Sequence, residues 1–115
     1  MYQCFAALMC CAIMMGCDEG PYDEAADSVR NSTQQQAENI RDAGQERAEA
    51  IRDSGQQQAE ALRDRSDSEM TEDRADAIES QTERAADALE DQTEKKADQI
   101  EEQGETKADQ LEEVE

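Results

Sequence analysis

The 115-residue sequence contains no histidine and no tryptophan, and only one phenylalanine and two tyrosines. Without histidine there is no imidazole to move protons near neutral pH or to ligate a metal. So few aromatics leave little surface to line a substrate pocket. Positive charge is also scarce. Eleven Lys and Arg stand against 31 Asp and Glu, for a net charge of −20. Such a surface repels nucleic-acid phosphates and anionic lipid headgroups alike. No nucleic-acid partner is expected, nor a chain lying flat on an anionic membrane, where a Lys/Arg-rich polar face is usual. The acids form no spaced oxygen-ligand loop of the EF-hand kind, so they read as solvated charge, with no metal or cofactor expected.

Large apolar residues are the next shortage. Beyond Cys17 they are Val29, Ile40, Ile51, Leu62, Ile78, Leu89, Ile100, Leu111 and Val114, with Met70 added. Each contributes roughly 2 kcal/mol when fully buried. Ordering the chain costs on the order of 1.5 kcal/mol per residue. An isolated globular core is therefore excluded, and the chain is expected to be an extended helical object, an oligomer or partly disordered. With no catalytic nucleophile, base or pocket to name, no small-molecule substrate and no catalysis are expected.

Residues 1–16 (MYQCFAALMCCAIMMG) carry no charge, and their apolar run from Phe5 to Met15 stops at Cys17-Asp18-Glu19-Gly20-Pro21. The run is too short for a bilayer-spanning helix, which needs about 20 apolar residues, and fits the core of a secretory signal. Cys4, Cys10 and Cys11 would leave with that signal. Cys17 would remain alone, unable to form an intrachain disulfide and with nothing nearby to activate it.

From Glu24 onward the chain is rich in Ala, Glu, Gln, Asp and Arg and has no proline, a helix-forming composition. Ala37, Ala48, Ala59, Ala75, Ala86, Ala97 and Ala108 each precede an acidic residue. Three residues after each comes Ile40, Ile51, Leu62, Ile78, Leu89, Ile100 or Leu111. Four further on, wherever the repeat is complete, stands a small residue: Gly44, Gly55, Ser66, Thr82, Thr93 or Gly104. The spacing is 3-4-4 and the period is eleven. At about 100° per residue, eleven residues drift only about 20°, so these positions form one continuous stripe suited to close helix–helix contact.

The period breaks once, between Ala59 and Ala75, where five extra residues would rotate a continuous stripe by about 140°. A turn at Asp67-Ser68-Glu69-Met70 resolves the break as a helical hairpin. It pairs Leu62 with Ala75, Ile51 with Ala86, Ala48 with Leu89 and Gly55 with Thr82. The residue after each Ile or Leu is Arg41, Arg52 and Arg63 in the first half but Glu79, Glu90, Glu101 and Glu112 in the second. Antiparallel packing brings these flanks together, within one chain or between chains. The predicted organisation is a signal peptide over 1–16, a cysteine and tether over 17–23, and helical segments over 24–66 and 71–115, separated by the turn at 67–70. The fold class is all-α: long amphipathic helices forming a hairpin or a coiled coil, with partial disorder left open.

Four resemblances attach to these features. Ile13-Met14-Met15-Gly16-Cys17 resembles the lipobox of bacterial lipoprotein signal peptides, although Met14 and Met15 stand where Leu and a small residue are usual and the segment before it lacks Lys or Arg. The resemblance implies cleavage between Gly16 and Cys17, acyl chains on Cys17, and anchorage to an inner or outer membrane facing the periplasm. An ordinary secretory signal or a short hydrophobic anchor is the alternative. Asp18 resembles the inner-membrane retention signal of some Gram-negative lipoproteins. The Ala-rich repeat (AEAIRDSGQQQ at 48–58, KADQIEEQGET at 96–106) is similar to group 3 late-embryogenesis-abundant proteins, which implies a stress protectant that becomes helical on drying. More loosely, Lys107-Ala108-Asp109-Gln110-Leu111 resembles the coil of murein lipoprotein, but the ending Leu-Glu-Glu-Val-Glu lacks that family's terminal lysine. Two roles are thus expected to compete. One is an anchored spacer, scaffold or interaction module that associates with itself or another helical protein. The other is a hydrophilin-like protectant.

Overall fold

A computed structural model of the chain describes residues 21–114. They form two long helices, α1 (Pro21–Arg63) and α2 (Glu69–Glu112), folded against each other as an antiparallel hairpin. The all-α expectation holds, and among the described residues there is no strand. Gly16 and Cys17, with the expected signal, cleavage and lipidation, lie outside the described residues.

The boundaries differ from the expected ones in two places, each for a local reason. Pro21 opens α1 instead of lying in a tether. A proline fits the first helical turn, where its missing N–H would have had no partner. Asp23 and Glu24 follow in that turn, beside the positive end of the helix dipole.

The turn occupies 64–68, not 67–70. The first helix ends at Arg63 by tightening, with Arg65 N–H donating to Leu62 O at 3.1 Å and Ser66 N–H to Arg63 O at 3.3 Å. Ser68 then caps α2. Its backbone is extended (φ −84°, ψ 144°) and its Oγ accepts from the Thr71 N–H at 3.3 Å. Glu69 and Met70 are therefore helical, and Glu69 and Glu72 place negative charge in the first turn of α2.

Burial along the hairpin is confined to one seam. Ala26, Ala37, Ala48 and Ala59 of α1 and Ala75, Ala86, Ala97 and Ala108 of α2 are fully buried. With them are Gly44, Gly55 and Gly104. Among the described residues nothing larger than alanine is buried. Val29, Ile40, Ile51, Leu62, Ile78, Leu89, Ile100 and Leu111 are half-buried, flanking the alanines on one side.

Candidate functional site

The seam is fixed by pairs of glycine and threonine. A Cβ added to Gly44, Gly55 or Gly104 would sit 2.7, 2.6 and 2.6 Å from the Cβ atoms of Thr93, Thr82 and Thr33 respectively. Each threonine thus occupies the space that a side chain on its partner would need. The threonine hydroxyls are satisfied within their own helix: Thr33 donates to Val29 O and Thr82 to Ile78 O, both at 2.9 Å, and Thr93 donates to Leu89 O. That leaves the rest of each side chain free to pack against the bare backbone of the other helix.

The residue numbers of each Gly–Thr pair add to 137, which is the register expected from Gly55 and Thr82. It aligns every buried alanine with an aliphatic of the other helix, including Ala48 with Leu89 and Ile51 with Ala86. The outermost pair reverses the exchange, with threonine on α1 and glycine on α2. A slip of one repeat would set Thr33 against Thr93, or leave Gly44 facing Gly104. Overlap penalises the first and a void the second.

The sequence pattern understated the repeat by one copy. Ala26-Asp27-Ser28-Val29-Arg30-Asn31-Ser32-Thr33 is a complete unit in which Val replaces Ile or Leu. Its signal was present in the spacing, and only the narrower Ile/Leu criterion hid it. Arg30 is consequently the partner that Glu112 lacked in the sequence pairing.

On one side of the seam four arginines of α1 cross to α2 with the same geometry. Arg63 meets Glu72 at 3.1 Å, Asp76 at 2.8 Å and Glu79 at 2.7 Å. Arg52 meets Glu83, Asp87 and Glu90 at 3.2, 2.8 and 2.7 Å. Arg41 meets Glu94, Asp98 and Glu101 at 3.1, 2.9 and 2.7 Å. Arg30 meets Glu105, Asp109 and Glu112 at 3.1, 3.2 and 2.6 Å. Hydrogen bonds from the arginines hold Glu79, Glu90, Glu101 and Glu112 below the usual carboxylate range, and the same bonds raise the arginines. Exposed pairs are individually weak. Their regular placement selects the antiparallel orientation more than it stabilises the helices.

The other side of the seam is different in kind. A shallow groove there is lined by Ser28, Val29, Ser32 and Gln36 of α1 and Ile100, Gln103 and Lys107 of α2. A second, near the turn, is lined by Gln58, Ala61, Leu62, Arg65 and Ile78. Neither contains a carboxylate. Helical geometry extends the observation along the whole face. On the side of the aliphatic row away from the seam, the helical positions that flank it are Ala, Ser, Asn, Gln, Lys or Arg, apart from Met70, and none is acidic. The hairpin therefore has one face of arginine–carboxylate clusters and one on which no carboxylate flanks the aliphatic row, although Glu102 shares a shallow groove with Gln103 and Lys107, and Glu24 and Asp27 share one with Ser28 and Ser32.

Among the described residues no group of His, Cys, Asp and Glu is arranged to hold a metal ion, and no helix is long and apolar enough to cross a membrane. The chain matches no family model, no curated protein and no solved structure.

Proposed function

We propose that the chain is a lipid-anchored, acidic helical module of the bacterial cell envelope, acting as a spacer, scaffold or interaction partner on the periplasmic side of a membrane. Cys17 is the anchor, and the hairpin that begins at Pro21 is the working part. The observation that supports the interaction role is the half-buried row from Val29 to Leu111, since two helices pressed together on Ala and Gly leave those aliphatics incompletely covered. The anchor rests on Gly16-Cys17 after an uncharged apolar run. Two or more acyl chains there would give stable attachment, which one chain would not. No catalytic step is assigned to any residue.

A second reading, a protectant that becomes helical on dehydration, is favoured by the same seam. Buried alanines and glycines supply little apolar area, so the hairpin draws modest hydrophobic stabilisation, and glycine lowers helix propensity by about 1 kcal/mol against alanine.

Intact mass of the native protein recovered from its host's membrane fraction tests the anchor. The expected mass is that of residues 17–115 plus acyl chains. An unmodified full-length mass in the soluble fraction would remove the anchor and leave the protectant as the working reading.

A further inference from the structure

We infer that the carboxylate-free face of the hairpin is the surface by which this protein lies against an anionic phospholipid bilayer. Arg47, Arg74, Lys96 and Lys107 each stand immediately before a buried alanine. One residue is about 100° around the helix, so these side chains point straight out of that face. Arg65 joins them in the groove beside Leu62 and Ile78. None of the five makes an ion pair among the described residues, whereas Arg30, Arg41, Arg52 and Arg63 each hold three acids of the other helix.

One further residue marks the same face. Met70, 70% exposed, occupies the α2 position one residue before Thr71, which turns it to the carboxylate-free side at the turn end of the hairpin, while Val114, 67% exposed, follows the end of α2 at the open end. The face thus offers a half-buried apolar row, cations aimed outward and an exposed Met70, so it supplies both apolar area and attraction to anionic headgroups, the two contributions on which interfacial binding scales.

The net charge of −20 argues against an anionic partner only if charge is averaged over the molecule. The arginine–carboxylate clusters lie on the far side of the hairpin, about one helix diameter (~10 Å) away. That is comparable with the Debye length of ~8 Å at physiological ionic strength, so a lipid surface in contact senses the near cations at full strength and the far carboxylates in attenuated form. A second copy docked face to face would instead bury unpaired cations against unpaired cations, with no carboxylate between them. The inference rests on the envelope reading only for the membrane it meets, and it does not require an acyl chain.

The absence of tryptophan allows a clean test. Gln81 and Gln56 are exposed, lie at the same height along the hairpin by the Gly–Thr register, and belong to the carboxylate-free and the clustered face respectively. Gln81→Trp and Gln56→Trp are made separately in the full chain carrying Cys17→Ser, and vesicles of phosphatidylglycerol and phosphatidylethanolamine are added. The expected result is a blue shift of emission for Gln81→Trp alone, diminished by salt and lost with Arg47→Glu and Arg74→Glu. A shift in both reporters, in neither, or one that follows protein concentration without vesicles would overturn the inference, the last by placing a second copy on the face. A shift for Gln81→Trp alongside an unacylated native mass would remove the anchor and leave the face standing.

Discussion

Thr33 packs against Gly104, with its Cβ 2.6 Å from where a methyl on that glycine would lie. The opposite exchange holds at Gly44–Thr93 and Gly55–Thr82. A seam of small residues is repetitive and would otherwise tolerate slippage by eleven residues. The reversal at the open end of the hairpin removes that tolerance.

The Gly–Thr pairs give a coupled prediction. On an isolated helix Gly55→Ala would stabilise by about 1 kcal/mol through helix propensity. Within the hairpin the new methyl overlaps Thr82, so the expected outcome is destabilisation by about 1–3 kcal/mol. In a Thr82→Ala background the overlap is gone, and Gly55→Ala is expected to be neutral or stabilising. Thermal melts of the four chains measure the coupling, and additive effects would contradict the close approach.

The arginine clusters are expected to set orientation. Arg41→Glu with Arg52→Glu places acids against the acids of α2 and should lower the melting temperature, more at low salt than at high. Adding Glu90→Arg and Glu101→Arg reverses the polarity of two clusters and should recover part of the loss. No recovery in the fourfold variant would mean that the clusters are solvated charge without pairing value.

Acid titration tests the same contacts in another way. Glu79, Glu90, Glu101 and Glu112 ionise below the usual carboxylate range because an arginine hydrogen-bonds to each. Their stabilisation is therefore complete above the unfolded carboxylate value of about 4.3 and is lost as pH falls through the lower folded values. Protonation elsewhere relieves repulsion among the excess acids and works in the opposite sense. The quantity to follow is the melting-temperature difference between the wild type and a chain with all four glutamates changed to Gln. It should be widest near neutral pH and close below about pH 4. A constant difference would dissociate these glutamates from stability.

Ser68→Ala is expected to cost about 1 kcal/mol, because it removes the acceptor for the Thr71 N–H at the start of α2. Hydrogen exchange should locate the loosening in the first turn of α2. Exchange unchanged there would assign the turn to tertiary packing alone.

Most of the fold was legible because an eleven-residue period on two sides of one phase break leaves few arrangements. Ala48, Ile51 and Gly55 against Leu89, Ala86 and Thr82 followed from that period alone. The turn was displaced because the sequence pairing counted residues between stripes and gave no weight to Ser68, whose capping geometry decides where α2 begins. The first repeat escaped because Val29 is smaller than Ile or Leu, although Ala26, Arg30 and Thr33 keep the pattern. The contrast between the two faces was hidden for a different reason. Net charge sums over the chain, and only the pairing of two helices shows that twelve acids of α2 gather around four arginines on one side and that five of the seven cations outside those clusters stand on the other.

The central claim is that one chain folds back on itself in the register set by the Gly–Thr pairs. Spin labels at positions 34 and 103, in a chain whose four cysteines are replaced, measure it most directly by pulsed dipolar spectroscopy. These exposed glutamines are level with each other in the hairpin, so labels diluted with unlabelled protein should give a narrow distance below about 25 Å, the interhelix spacing plus two label arms. A continuous helix would separate the same positions by about 100 Å. That value, or a broad distribution characteristic of a disordered chain in water, would contradict the hairpin and every role built on its two faces.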